Sequence, residues 1–183
     1  VTVYYLKRFL EYFKKISEHV EIDDINISYE VLWWFSEVEK TIIRNKSVNH
    51  SHFSDEDRMN FVSRLGKIFE SYRNKIYSKG FSSLKKLNIK RLKNFLSIIN
   101  NHLRESTLSN RSEKGLFEAY NTININLRNQ TIDVKKLDLM LEGQVAGLSS
   151  NVKNPSDSVS TLKSLFSSAL YRSDMKSFIL YPE

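Results

Sequence analysis

A stretch of small and apolar residues from Thr131 to Ser150 restricts the possible folds more than any other part of the sequence. Within it, Gly143 and Gly147 stand four residues apart with Ala146 between them. On a helix these residues form a ridge almost without side chains, against which a neighbouring helix can pack closely. We therefore expect a buried helix at the centre of the fold. Its apolar positions recur at spacings of three and four and are Val134, Leu137, Leu141, Val145 and Leu148.

Two polar residues interrupt this apolar stretch, and the sequence leaves their surroundings open. Glu142 and Gln144 are either solvated, hydrogen-bonded inside the fold, or part of a site in a cleft. Glutamate is seldom fully buried without a partner, so solvation is the first of the three interpretations.

The composition of the whole chain favours helices. Only five Gly and two Pro occur in 183 residues, and no segment shows the regular spacing of short strands that a sandwich or barrel requires. The apolar spacings predict an all-α fold of about seven helices in antiparallel hairpins, forming a helical bundle or part of an α/α toroid. We find no internal repeat. The predicted helices cover about 2–19, 28–42, 54–78, 82 or 88–103, 112–127, 131–150 and 154–170.

Two helix starts and one helix end carry clear local signals. Ser54 precedes three acidic residues and forms a near capping box with Asp57, which predicts a helix N-terminus. Gly80 suits the end of the same helix. Asn154 followed by Pro155 predicts another N-terminus. We expect a single domain over residues 1–183, excised from a larger protein, because the chain opens at Val1 and ends in an apolar run.

The net charge of +7 is concentrated in the middle of the chain. Residues 61–111 hold 12 basic and 2 acidic side chains, which makes an anion-binding surface a candidate function. The predicted partner is nucleic acid, lipid or an acidic protein. Nucleic acid is the less favoured partner, because most of the aromatic residues in this block fall on apolar stripes and are expected in the core. The aromatic residues concerned are Phe69, Tyr72, Tyr77, Phe81 and Phe95. The candidate anion-binding residues are Lys86, Lys90, Lys93 and Arg104.

No set of residues demands a particular chemistry. There is no Cys, which excludes disulfides and thiolate sites, and no Gly-rich phosphate loop or nucleophile elbow. His50 and His52 with Asp55 and Asp57 offer metal ligands, but their spacing matches no established pattern, so a solvated loop is favoured. Neither a metal nor a cofactor is predicted, and no catalytic residue is assigned.

The last third of the chain carries a resemblance. The residues concerned are Met140-Leu141-Glu142-Gly143-Gln144-Val145-Ala146-Gly147-Leu148-Ser149-Ser150, Gly115-Leu116-Phe117-Glu118-Ala119-Tyr120-Asn121, Leu170-Tyr171-Arg172-Ser173-Asp174 and Leu180-Tyr181-Pro182. Over residues 112–183 the chain resembles an internal region of large bacterial proteins described as cellobiose-phosphorylase-like. The resemblance implies a helical piece of a carbohydrate-active protein with an α/α toroid core, general-acid chemistry and phosphate attack on a glucoside. No catalytic motif of that family matches here.

Three functions remain open at this point. The first is a structural or interdomain segment of a larger carbohydrate-active protein, without a complete active site and in contact with neighbouring domains. The second is an autonomous helical binding module whose basic middle, residues 64–111, contacts an anionic partner. The third is a small lyase or hydrolase built around Glu142. No apolar run approaches the ~20 residues that span a bilayer, and the compartment is left open between bacterial cytoplasm and periplasm.

Overall fold

The computed structural model describes residues 1–45, 53–150 and 154–182. Helices and short strands alternate in these ranges. The helices are α1 (Thr2–Glu18), α2 (Tyr29–Arg44), α3 (Asp55–Lys79), α4 (Ile89–Ser109), α5 (Leu141–Ser149) and α6 (Pro155–Phe166). The strands are β1 (Asp24–Ser28), β2 (Leu84–Asn88), β3 (Asn121–Asn126), β4 (Thr131–Lys136), β5 (Tyr171–Arg172) and β6 (Ser177–Phe178).

The expected all-α fold of seven helices is wrong. The described residues form six helices and three small antiparallel sheets, which pair β1 with β2, β3 with β4 and β5 with β6. The predicted helix over 112–127 is absent, and its second half is β3. In β3 and β4 isoleucine and valine alternate with polar residues, a period of two that suits a strand. Gln130, with φ of 55°, lies in the turn between these strands.

The predicted central helix is half as long as expected. Residues 131–136 are strand β4, and α5 begins only at Leu141. The burial of its small-residue ridge is nevertheless confirmed, since Gly143, Ala146 and Gly147 are all buried. The neighbour that approaches the ridge is the irregular segment around Phe117 and not a helix.

A pseudo-symmetric pair of strands organises the first half of the chain. In the β1–β2 register Asp24 lies opposite Asn88 and Ser28 opposite Leu84, and each strand runs directly into a helix. The helix starts are held alike: Tyr29 N donates to Ser83 O at 3.0 Å and Ile89 N to Asp23 O at 2.8 Å. The order helix, strand, helix therefore occurs twice. The sequences match weakly, with Lys-x-Phe-x-x-Tyr-x-x-Lys-Ile at residues 7–16 and 67–76.

The chain divides into two compact units. Unit 1 comprises Val1–Tyr12, His102–Asn124 and Asp133–Glu183, and unit 2 comprises Phe13–Asn101 and Ile125–Ile132. In unit 1 one cluster joins Leu116, Leu165 and Leu170, and a second joins Tyr4, Phe117 and Ala146. In unit 2 the core lies between α2, α3 and the start of α4, where the rings of Phe35 and Phe95 meet edge to face at 4.8 Å.

The capping signals identified in the sequence are confirmed. Ser54 and Asp57 form a reciprocal capping box, Gly80 ends α3 with a φ of 70°, and Asn154 accepts from Asp157 N at 2.9 Å. Ser28 caps α2. These ends are local features that depend on two or three residues, which is why sequence alone locates them.

The Ser54 cap supports a prediction on stability. Replacing Ser54 with Ala removes the acceptor for Asp57 N at 3.0 Å, and we expect a loss of about 1 kcal/mol of unfolding free energy at pH 7. Hydrogen bonds from the Ser54 hydroxyl and backbone N–H also lower the pKa of Asp57 below 3.8. The stabilisation from ionised Asp57 is therefore present above pH 3.8 and lost as the pH falls through the lowered pKa. Urea unfolding of wild type and Ser54→Ala, followed by tryptophan fluorescence, measures the difference. If Ser54→Ala had the same urea midpoint as wild type at pH 7, the predicted loss of stability would be wrong.

Candidate anion-binding groove

The four predicted anion-binding residues lie in different surroundings. Lys86, on β2, is 3.7 Å from the Asp24 carboxylate, and Lys90 is exposed in the first turn of α4. Lys93 is half-buried one turn later. Arg104 belongs to unit 1, where it pairs with Glu105 at 3.1 Å. Their common role as an anion surface stays a prediction.

The aromatic residues of the basic block are only partly in the core. Phe95 is buried and Tyr72 stacks on Trp34 at 5.3 Å, as expected. Phe69, Tyr77 and Phe81 are exposed, with Tyr77 at 78%, so the expectation that most of these rings lie in the core is wrong. Only one face of α3 packs on α2, and the Arg73 guanidinium lies over the rings of Phe69 and Tyr77 on another face.

A groove of about 700 Å³ lies between α2 and α3 of unit 2. Such a volume suits a small ligand or part of a larger one. Its described lining combines cations, small polar side chains and two aromatic rings. These residues are Trp33, Glu37, Thr41, Arg44 and Asn45 from α2 and its C-cap, and Asn60, Phe61, Ser63, Arg64, Lys67, Ile68 and Ser71 from α3.

The groove runs along both helices, which are antiparallel. The indole of Trp34 stacks on Tyr72, and seven residues further along α2 Thr41 Oγ1 accepts a hydrogen bond from Arg64 Nε at 3.0 Å. Residue numbers therefore increase in opposite directions along the two helices. From Trp33 to Arg44 the α2 wall extends about 16 Å at about 1.5 Å per residue. Trp33 therefore stands at one end of the groove and Arg44 at the other.

Positive charge dominates the groove. Among the described lining residues three are basic, Arg44, Arg64 and Lys67, and one is acidic, Glu37. The pKa of Glu37 is lowered, first by the hydrogen bond from Lys40 Nζ at 2.7 Å and then by the charges of Lys40, Arg64 and Arg44. Glu37 is therefore ionised at neutral pH. The groove offers guanidinium and ammonium donors for an anion and one carboxylate that only accepts hydrogen bonds.

The walls of the groove are held by contacts outside it. Lys75 Nζ lies 3.7 Å from the centre of the Trp33 ring, and Tyr72 stacks on Trp34. On the other side of α2, Arg91 Nε donates to the Glu39 carboxylate at 3.0 Å. These contacts fix α2 against α3 and α4, so the groove does not depend on a ligand for its shape.

None of the basic residues of this groove is among the four predicted anion-binding residues. Arg44 even lies outside the basic block, in a part of the chain with an acidic balance. A signal was present in α3, where Asn60, Arg64, Lys67 and Ser71 recur at spacings of four, three and four. That polar stripe flanks the apolar one, but only the packing of α2 against it makes a groove.

The predicted metal ligands are not assembled. His50 and His52 lie outside the described residues, and Asp55 and Asp57 serve the start of α3. Within 1–45, 53–150 and 154–182, no group of three or more His, Cys, Asp or Glu side chains could hold a metal ion.

The two polar residues of α5 have different roles. Gln144 is fully buried and hydrogen-bonded inside unit 1: its Oε1 accepts from Phe117 N at 2.8 Å, and its Nε2 donates to Phe117 O at 2.7 Å. Glu142 is half-buried and accepts from the Tyr120 hydroxyl at 2.7 Å. This bond is the main cause of the raised pKa of Tyr120.

Comparison with known proteins assigns no family. No protein-family model matches the chain, and no curated protein matches its sequence. In the parts of the chain that the structure describes, no helix is long and apolar enough to cross a membrane. A functional assignment therefore depends on the residues of the groove.

Proposed function

We propose that this chain is a binding module for an anionic partner and that the partner's negative groups enter the groove between α2 and α3. The observation that carries the proposal is the convergence of Arg44, Arg64 and Lys67 on one open groove. Arg64 is oriented by its bond to Thr41 Oγ1. An oriented guanidinium binds oxyanions with less loss of side-chain entropy than a free one.

The distribution of charge between the units supports the same proposal. Unit 2 holds 17 basic and 11 acidic side chains, a net charge of +6. Unit 1 holds 11 and 10, a net charge of +1. Long-range attraction of an anion is therefore concentrated on the unit that contains the groove.

Inorganic tripolyphosphate is the simplest probe. We expect calorimetry to detect its binding, and the affinity should fall between about 50 and 200 mM salt, because exposed charges are increasingly screened. The double variant Arg44→Gln, Lys67→Gln should weaken binding at least about tenfold, since hydrogen bonds to charged groups contribute about 1.5–3 kcal/mol each. Lys163→Gln, an exposed lysine of α6 in unit 1, is the matched control and should bind like wild type.

A second set of variants tests the anion-binding surface that the sequence predicts at Lys86, Lys90 and Lys93. If Lys86→Gln, Lys90→Gln and Lys93→Gln together abolish binding while the groove double variant does not, the anion binds at the predicted surface and the groove assignment is wrong. Absence of binding by the wild-type chain at low salt would overturn the binding module itself.

A second proposal is a structural role in a larger carbohydrate-active protein. It is favoured by the packing of the residues that carry the resemblance, since Gly143 and Gly147 pack on Phe117 and Leu141 N donates to Leu180 O at 3.1 Å. Residues with such contacts stabilise the fold, which is the role that a structural segment requires. A screen of β-glucosides with inorganic phosphate should show no turnover by this chain alone. Measurable phosphorolysis would contradict the proposal that it lacks a complete active site.

A further inference from the structure

The chemistry of the groove changes in order along its length. One end has the indole of Trp33, the middle has the Glu37 carboxylate one turn further along α2, and the far end has Arg44. On the opposite wall Ser71 is at the Trp33 end, and Lys67 and Arg64 follow towards the Arg44 end. An aromatic surface, a hydrogen-bond acceptor with Lys67 opposite it, and the two arginines Arg64 and Arg44 therefore succeed one another over about 16 Å.

From this order we propose that the anionic ligand of the groove is a nucleoside phosphate, with its base against Trp33, its ribose hydroxyls donating to Glu37, and its phosphates between Arg44, Arg64 and Lys67. The inference rests on the proposed anion-binding function and names the class of its ligand. It concerns binding and includes no chemical step.

Glu37 distinguishes this ligand from a bare phosphate or a sulfated polymer. An ionised carboxylate in the middle of a basic groove repels an oxyanion and accepts hydrogen bonds without donating any. A ligand that fills the groove therefore needs donors at its centre and negative charge at one end only. Ribose hydroxyls next to a phosphate chain meet this requirement, whereas tripolyphosphate carries negative charge along its whole length.

Trp33 supplies the contact for the base. Its ring is half-buried, and Lys75 Nζ lies over one face at 3.7 Å from the ring centre, which holds the indole in place and leaves its other face for a base. Aromatic rings bind nucleobases by stacking, with little preference among bases. We therefore expect ADP and GDP to bind with similar affinity and both to bind more tightly than pyrophosphate.

The wild-type chain alone provides the first test. Calorimetry with ADP, pyrophosphate, adenosine and 2′,3′-dideoxy-ADP should give the tightest binding for ADP, with pyrophosphate weaker by about tenfold, the order expected for one stacked base. Dideoxy-ADP should bind more weakly than ADP, because it lacks the hydroxyl donors for Glu37. A labelled rU₂₀ oligonucleotide, whose riboses keep the 2′-hydroxyl donors, and its duplex distinguish the source: tighter binding of the single strand than of ADP would assign the groove to nucleic acid chains, and the reverse to free nucleotides. In either case the bound chemistry is a nucleoside phosphate.

Variants of the groove provide the second test. Trp33→Leu should weaken the binding of ADP about tenfold and leave the affinity for pyrophosphate unchanged. Trp33→Phe should keep most of the affinity for ADP. Glu37→Ala should increase the affinity for pyrophosphate, so the preference for ADP over pyrophosphate should become smaller. Tyr77→Leu removes an aromatic ring that is 78% exposed and lies outside the groove lining, and it should bind all ligands like wild type. Circular dichroism of each variant checks that the chain is folded.

The two proposals fail in different ways. If pyrophosphate binds as tightly as ADP and Trp33→Leu changes neither affinity, the nucleoside inference is wrong and anion binding remains. If neither ligand binds, or the Arg44→Gln, Lys67→Gln variant binds both unchanged, the groove is not an anion site and both proposals are wrong.

Discussion

Replacing Gly147 with Ala should destabilise unit 1 by about 2–3 kcal/mol, although Ala is normally the better residue in a helix. A Cβ at position 147 would overlap the ring of Phe117, with Cε2 only 2.8 Å away. The ring has no room to move, because Phe117 is 2% exposed, meets Tyr4 edge to face at 5.6 Å and lies under the Arg111 guanidinium. Urea unfolding followed by far-ultraviolet circular dichroism measures the loss.

Gly66→Ala is the matched control for this prediction. Gly66 is also inside a helix, but a Cβ there would meet nothing within 4 Å. The substitution should therefore stabilise the chain by up to about 1 kcal/mol. If Gly147→Ala were neutral or stabilising like Gly66→Ala, the close approach of α5 to Phe117 would be wrong.

Replacing Gln144 with Glu should cost about 3 kcal/mol of unfolding free energy at pH 7. The side-chain amide of Gln144 pairs with the Phe117 backbone as a strand would, and Nε2 also donates to Met140 O at 3.0 Å. A carboxylate keeps the acceptor but faces two carbonyl oxygens without a donor, inside a fully buried site. Burial and these carbonyls should raise the pKa of the carboxyl group introduced by Gln144→Glu well above the usual value for glutamate, about 4.3.

The sign of the pH dependence follows from that raised pKa. The folded state binds the proton more tightly than the unfolded state, so the pH-dependent part of the penalty is largest above the folded pKa and disappears below about pH 4.3. A constant part remains, because the neutral carboxyl has one O–H for the two carbonyls of Phe117 and Met140. The difference in stability between wild type and Gln144→Glu should therefore narrow as the pH is lowered from about 7 to 4. Gln130→Glu, at an exposed hairpin turn, should stay within about 0.5 kcal/mol of wild type at every pH. A constant difference across this range would contradict the buried pairing of Gln144 with Phe117.

These two predictions bear on the residues that carry the resemblance. The segment 142–147 suggests a possible site, because it combines a carboxylate and an amide with glycines. In the structure its glycines and Gln144 hold the backbone of Phe117. Loss of stability without loss of ligand binding is therefore the expected outcome of changes at Gly147 and Gln144.

The helix ends and the amphipathic stripes could be predicted because they are local. Ser54, Gly80 and Asn154 act on backbone groups within four residues, and α1 and α3 show their apolar spacing within single segments. The strands β3 and β4 also carried a local signal, the alternation around Ile123, Ile125 and Ile132. The apolar residues of the neighbouring segments also fit a helical spacing, which is why the sequence predicts helices there.

Only tertiary contacts decided the sheet pairing and the groove. β1 and β2 lie far apart in the chain and have no strong strand signal; each becomes a strand because the other supplies its hydrogen bonds. Arg44 and Lys67 come from different helices, so their meeting in one groove depends on how α2 packs on α3. The sequence by itself determined where α3 and α6 begin, where the ridge of small residues lies and where the charge accumulates. The tertiary structure decided which backbone segment fills that ridge and which charges face a common space, because both depend on contacts between residues distant in sequence.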